Sequence, residues 1–330
     1  MSKSAKVLIT RKIPINAIQQ IQEVAETEIW PEQLPPPREY LEEKIRDCAG
    51  IVSLLTDSID EKLMACAKDL RVISNFAVGV NNIDIQAATA RGIAVGNTPG
   101  VLTQATADIA VSLLLAVARR LHESALDAAS GNWKTWEPLG WLGQELEGKT
   151  VGIVGMGRIG FATAKRLHFG WDMPIIYHSR STNAEAEQKL QARKVDMDTL
   201  LQTSDFISIH TDLNPQTRGM FTIKEFEKMK PSAILINTSR GPVLNQTDLA
   251  KALRLGLLFA AGLDVTDPEP LPPSHELYSL KNCLIVPHIA SATFATRNEM
   301  ARICAENLIA GISNKPLRFT VNPECIRKQN

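Results

Sequence analysis

Apolar positions fall into two alternating series along the chain. In the first, short strand-like runs recur at Lys6–Thr10 (KVLIT), Gly50–Leu55 (GIVSLL), Arg71–Ser74 (RVIS) and Ile93–Val95 (IAV), with helical stretches between them. Residues 13–27 carry apolar positions at helical spacing, and the Pro-rich WPEQLPPPREY that follows cannot be helix interior and reads as a loop. In the second series, from Lys149, the strands TVGIVG, PIIYHS, DFISIH, AILINT, FAAGLDV and LIVPHI alternate with helical segments. Apolar strands separated by helices imply parallel sheets covered on both faces by crossover helices. Between the two series, residues 103–122 (TQATADIAVSLLLAVARRLH) read as one long helix. It is apolar over most of its circumference and must be buried on several sides. A loop over 131–148 carries Trp133, Trp136 and Trp141. Indoles favour interfaces, so this loop and the helix before it predict a homodimer.

The rhythm predicts an α/β protein with two Rossmann-like, doubly wound domains. The final helix, Ala295–Ile312, is long enough to reach back to the N-terminal half. One domain is therefore discontinuous, formed by 1–100 plus 291–330, and the other spans 101–290.

Charge narrows the choice of partner. The 36 Lys and Arg residues balance 36 Asp and Glu residues, so no long-range field favours nucleic acid or a membrane surface. No apolar run reaches the length of a membrane span, and the N-terminus lacks a signal-peptide pattern. Cys48, Cys66, Cys283, Cys304 and Cys325 are scattered, with no CxxC pair. That spacing suits reduced thiols in a cytoplasmic protein and offers no metal site.

Candidate chemistry begins at Thr150–Gly160, TVGIVGMGRIG. Gly155-x-Gly157-x-x-Gly160 follows an apolar strand directly and opens a helix. The first glycine permits a tight turn, the second lets the backbone approach a pyrophosphate, and the third packs helix against strand. The free N–H groups of the helix start suit an anion. A dinucleotide is the expected ligand, and 101–290 its domain. At the end of the next strand an NAD site places an acid for the ribose 2′-OH. Here the sequence is His178-Ser179-Arg180-Ser181-Thr182. Arg180 can fork onto a 2′-phosphate and Ser179 and Ser181 can donate to it, so NADP(H) is preferred and NAD(H) possible.

Three more strand ends carry reactive side chains: Arg240 after AILINTS, Glu269 after GLDVTDP, and His288 after LIVP. Ligands of open α/β sheets sit outside the carboxyl ends of strands. There an Arg can clamp a carboxylate, a His can carry a proton near neutral pH, and a Glu bonded to that His fixes its tautomer and favours the imidazolium. His210 also ends a strand; it reads as a packed residue that can approach the dinucleotide.

These segments resemble the D-isomer-specific 2-hydroxyacid dehydrogenase family, most closely its glyoxylate/hydroxypyruvate reductase branch. The resemblance spans nearly the whole chain. It rests on GIVGMGRIG, INTSRGPV, AAGLDVTDPEPLP and LIVPHIASAT, with RVISNFAVGV and NTPGVLTQATADIA before them. It implies that the discontinuous domain is flavodoxin-like and binds the substrate. It implies Arg240 as the substrate-binding and carbonyl-polarising residue, His288 as the proton donor and Glu269 as its partner. The backbone N–H groups of Val78 and Gly79 would hold the substrate carboxylate. Thr106, Arg158, Ile159, Thr238 and Asp264 match cofactor-contact positions. The activity implied is NADPH-preferring reduction of small 2-keto acids, glyoxylate and hydroxypyruvate, to glycolate and D-glycerate. An NAD-dependent D-3-phosphoglycerate dehydrogenase is the alternative within the family. A dinucleotide-sensing corepressor is a more distant one, less suited to Arg180. Three departures stand out: Ala290 replaces a usual glycine, Asn81 stands where an acid is common, and Trp141 is offset by a residue from the tryptophan that reaches a neighbouring subunit in this branch.

Overall fold

The computed structural model describes residues 5–328. In chain order the elements are β1 (Ala5–Ile9), α1 (Ile15–Gln22), β2 (Ala25–Ile29), α2 (Arg38–Lys44), β3 (Gly50–Ser53), α3 (Glu61–Cys66), β4 (Val72–Asn75), α4 (Ile85–Ala90) and β5 (Ala94–Gly96). Then come α5 (Thr103–Ala118), α6 (Leu121–Ala129), β6 (Val151–Val154), α7 (Arg158–Trp171), β7 (Ile175–His178), α8 (Ala184–Leu190), β8 (Arg193–Lys194), α9 (Met197–Thr203) and β9 (Phe206–Ile209). The chain closes with α10 (Ile223–Phe226), β10 (Ile234–Asn237), α11 (Gln246–Leu255), β11 (Ala260–Leu263), β12 (Cys283–Ile285) and α12 (Phe294–Ile312). Two compact units result: Met1–Leu102 with Ala292–Asn330, and Thr103–Ser291.

The first unit is a five-stranded parallel sheet in the order β2-β1-β3-β4-β5, the flavodoxin-like arrangement. Successive side chains of a strand point to opposite faces, and the core follows that period. Val7, Ile9, Val52 and Val72 pack with α1 and α12 on one face. Leu8, Ile51 and Ile73 pack with α2, α3 and α4 on the other. A Cβ at Gly311 would stand 2.4 Å from the Cβ of Val72, so α12 lies as close to β4 as backbone permits. The C-terminal tail is fastened to the same unit. Asn322 accepts from Val95 N at 2.8 Å and donates to Ile93 O at 2.9 Å, and Asn307 donates to Asn97 O at 3.1 Å.

The second unit is a seven-stranded parallel sheet in the order β12-β11-β10-β9-β6-β7-β8. The order reverses between β6 and β9, the place where doubly wound sheets bind nucleotides. One face is covered by α5, α7 and α8 and the other by α9, α10 and α11. The β6 turn and the end of β9 meet closely: a Cβ at Gly155 would stand 2.7 Å from His210 O.

Four local readings change. The helix expected over 103–122 ends at Ala118; Arg120 takes φ 53, a left-handed conformation, and α6 starts afresh with no buried residue. The helical spacing at 13–27 holds only to Gln22. Residues 25–29 pair with β1 as an edge strand in which only Ala25 is buried, so ladder hydrogen bonds override the local period. The Pro-rich loop gives way to helix at Arg38, with Pro37 just outside it, a position that loses no helical hydrogen bond. The second sheet also gains an edge strand, β8, of two exposed residues. Among the described residues, no helix is long and apolar enough to cross a membrane, and no cluster of His, Cys, Asp and Glu could hold a metal ion.

His210 makes acid stability testable. Its Nε2 lies 2.8 Å from Ser208 Oγ, and burial pushes its imidazole down to about 3. Between about pH 3 and 6.5 the unfolded chain therefore binds a proton at this residue that the folded one does not. Stability is lost as pH falls through that window, by at most about 1.4 kcal/mol per pH unit. Part of the residue's surface remains open, which brings the slope below that limit. Urea unfolding at pH 7 and pH 5 should show a smaller loss of stability in His210→Gln than in wild type. Equal losses would mean that the ring is protonated within the fold.

Candidate active site

Local geometry at the glycine loop fits a dinucleotide. Gly155 has φ +95, a conformation that glycine adopts freely. A Cβ at Gly160 would fall 2.2 Å from Gly155 O, so α7 can start this close to β6 only without a side chain. A Cβ at Gly157 would meet nothing within 4 Å, which leaves open space in front of the turn. Gly157 is also the cap of α7 and supplies no side-chain acceptor, so the first N–H groups of a 14-residue helix stay available to an anion. Arg158 is exposed and Ile159 half-buried at that start. Thr106 on α5 and Thr238 after β10 are both buried. Beyond β7, Ser179 is half-buried while Arg180 and Ser181 are exposed. Asn183 Nδ2 donates to Met156 O at 2.9 Å and ties this segment to the glycine loop.

The structure brings Arg240, Glu269 and His288 together at neighbouring strand ends. Glu269 Oε1 lies 2.5 Å from His288 Nδ1, with both side chains partly exposed. Among the described residues nothing pairs with His288 Nε2, so that nitrogen is the one presented to a ligand. His288 sits at φ 51, and its amide lies 3.0 Å from Asp264 O. The buried Asp264 carboxylate accepts Ile289 N at 2.7 Å and Ala290 N at 3.1 Å. Burial pushes its carboxyl up, and those amides and His288 act against the rise. Arg240 is held by its neighbours: Asn237 Nδ2 donates to its carbonyl at 3.0 Å, and its own Nη1 donates to Ser239 O at 2.7 Å. Burial pulls the guanidinium below its ordinary value while Glu269 and Asp212 push it back. A guanidinium stays charged in any case, so the site combines a fixed cation with a histidine–carboxylate pair.

In the first unit, Val78 and Gly79 follow β4 on a loop pinned through its carbonyls. Asn97 Nδ2 donates to Val78 O at 2.8 Å and Asn75 Nδ2 to Gly79 O at 2.9 Å. Among the described residues the N–H groups of Val78 and Gly79 have no acceptor. Sequence reasoning missed these supports: Asn75 and Asn97 under the loop, Asn82 donating to Leu54 O and Asp57 O beside it, Asn183 beside the glycine turn, and Asp212 acting on Arg240. Only Asn183 had a signal, standing as an N-cap before AEAEQKL.

Residues 111–290 match the family model of the D-isomer specific 2-hydroxyacid dehydrogenase, NAD binding domain. A glyoxylate reductase of Thermococcus litoralis is 52% identical over 309 residues, covering 92% of this chain and 93% of that one. A crystal structure of a protein from Thermus thermophilus superimposes with a TM-score of 0.90 at 44% identity, covering 96% of this chain and 99% of the other. The NADPH-dependent glyoxylate/hydroxypyruvate reductase of Sinorhizobium meliloti, in complex with NADP and malonate, superimposes with a TM-score of 0.83 at 30% identity and covers 98% of each chain. Glycine turn, strand-end cluster and relatives agree: the chain belongs to the D-isomer-specific 2-hydroxyacid dehydrogenase family, in its glyoxylate/hydroxypyruvate reductase branch, and is an NAD(P)-dependent oxidoreductase.

Proposed function

We propose that the protein reduces glyoxylate and hydroxypyruvate to glycolate and D-glycerate in the cytoplasm, with NADPH preferred over NADH. The observation that carries the reading is the Glu269–His288 pair beside Arg240 in the dinucleotide-binding unit. The names of the Thermococcus litoralis and Sinorhizobium meliloti relatives supply the substrate class. The Gly155–Gly160 turn and the start of α7 would hold the pyrophosphate, with Thr106, Thr238 and Asp264 along the rest of the dinucleotide. When bound, the reduced nicotinamide supplies a hydride for C2 of the keto acid. Arg240 polarises the C2 carbonyl and binds the carboxylate end; in the first unit, the Val78 and Gly79 amides are by themselves a candidate carboxylate-binding pair. His288, oriented by Glu269 through Nδ1, donates a proton from Nε2 to the oxygen as negative charge develops there.

Cofactor choice rests on the β7 end. Lys194 Nζ donates to the Arg180 carbonyl at 3.2 Å, while among the described residues the Arg180 guanidinium has no partner and is free for a 2′-phosphate. For the assembly, Trp133, Trp136, Leu139 and Leu142 are 72%, 80%, 82% and 61% exposed, and Leu121 and Leu126 on α6 are also exposed. This much large apolar side chain facing outward supports a homodimer built on α6 and the Trp-rich loop. Trp141 has the Arg120 guanidinium 4.9 Å from its ring centroid.

Three measurements test these readings. With glyoxylate and hydroxypyruvate, His288→Ala should lose about 10²- to 10⁴-fold in turnover yet still bind NADPH; near-wild-type turnover removes His288 as proton donor, and a wild type active only on phosphohydroxypyruvate would replace the proposed substrates. Arg180→Ala should lower kcat/KM for NADPH about tenfold, the low end for a charge-assisted contact because the site is exposed, and leave NADH nearly unchanged. Equal losses for both cofactors would exclude Arg180 as selector. Light scattering at micromolar concentration should give twice the chain mass, and a Trp133→Ser/Trp136→Ser variant should shift it toward the monomer; a monomeric wild type defeats the dimer.

A further inference from the structure

Between Arg240 and Glu269 lies a buried amide that the proposed chemistry does not use. Gln246 is the first residue of α11 and is only 7% exposed. Its Oε1 accepts Asp267 N at 3.0 Å, and its Nε2 donates to Asp267 O. One side chain thus engages both main-chain groups of a single residue, as a neighbouring strand would. Asp267 stands two residues before Glu269 in the segment Thr266-Asp267-Pro268-Glu269-Pro270. The two prolines have no N–H, so this stretch has few donors with which to fasten itself. Its other internal tie is Thr266 Oγ1 donating to Pro268 O at 2.9 Å.

The same segment presses on the Arg240 loop. A Cβ at Gly241 would stand 2.0 Å from Thr266 O and 2.7 Å from Asp267 N. Backbone therefore lies against backbone at this point, and Gln246, five residues past Gly241, locks the contact from the side. The amide is specific in what it can do. A carboxylate in its place could accept from Asp267 N but would set an anion against Asp267 O, which would then lack a donor.

We propose that Gln246 is a positioning residue: by holding Asp267 through both main-chain groups it fixes Glu269 against His288 and couples that pair to the Arg240 loop. The proposal rests on Glu269 acting through His288. Other charges acting at the pair are Asp264 and Arg240, with Asp212 acting on Arg240.

Steady-state kinetics with glyoxylate and NADPH from pH 5 to 9 test it, in wild type, Gln246→Glu, Gln246→Ala, Glu269→Gln and the Gln246→Ala/Glu269→Gln double variant. Gln246→Glu keeps shape and volume, and NADPH affinity by fluorescence checks that the dinucleotide unit is intact. Gln246→Glu and Gln246→Ala should lower kcat between about tenfold and a hundredfold, as displacement of a catalytic group by an ångström does. KM for NADPH should stay within about twofold, by the same reasoning that only the pair is displaced. The alkaline limb of the profile should move to lower pH, as in Glu269→Gln. In the double variant, loss of Gln246 should add little to loss of Glu269. Additive losses, an unmoved pH profile or unchanged kcat in the Gln246 variants overturn the positioning role while Glu269→Gln still shows its own effect. If Glu269→Gln is itself silent, the underlying reading of Glu269 falls and this proposal falls with it. A Gln246→Glu protein that loses NADPH binding assigns Gln246 to the stability of the unit and also overturns the proposal.

Discussion

Burying the carboxylate of Asp264 at the end of β11 is the constraint on which the geometry around His288 depends. A buried carboxylate costs free energy unless donors surround it. Here the donors are the amides of Ile289 and Ala290, on the stretch of chain that carries His288. The exchange works in both directions: the loop satisfies the anion, and the anion decides where the loop lies. Because the His288 amide also approaches the Asp264 carbonyl, the histidine is held at three consecutive residues and can keep a left-handed backbone that a histidine otherwise avoids. Glu269 then meets a ring whose position is already set. Ala290 lies within the same clasp, so its methyl group belongs to the buried side of the loop.

Much of this was legible in advance because the relevant signals are local. Gly155 and Gly160 each answer a separate steric demand within the fold, and both demands are met in the structure, while a Cβ at Gly157 would meet nothing within 4 Å. Arg240, Glu269 and His288 were legible as strand ends, since parallel strands buried on both faces are apolar runs whose last residue is easy to see. What escaped notice lacked such marks. The AETEI edge strand buries one residue and has no apolar period to display. Arg120 breaks the long helix by taking a left-handed turn, for which arginine gives no warning. Asn75, Asn82 and Asn97 look like any polar loop residues until the fold converts them into props for carbonyl groups. Asp264 was legible as a residue near the site, but its grip on the His288 loop was not, because its partners lie about 25 residues later in the chain.

The two sheets put one rule to different use. In the second unit, strand order reverses between β6 and β9, and the glycine turn occupies that crevice with the His210 carbonyl behind it. Further along the same edge, β10, β11 and β12 end in sequence, delivering a cation, an acid and a histidine side by side. The glycine turn and the Arg240–Glu269–His288 cluster thus stand on one sheet but on different strands. The β7 end, with Ser179, Arg180 and Ser181, lies on the other side of β6 from the three strand ends that carry Arg240, Glu269 and His288.

The fastening of α12 and the Asn322 tail to the first sheet also sets an order of events during synthesis. Val72, at the start of β4 beside the β5 edge, lies under Gly311, and that edge is closed by Asn322. A nascent chain that has emerged as far as residue 290 holds everything the second sheet requires, whereas the first still exposes one apolar face. The inserted unit is therefore free to fold first on the ribosome, while the face of the first sheet that α12 shares with α1 stays partly open until the C-terminal segment emerges.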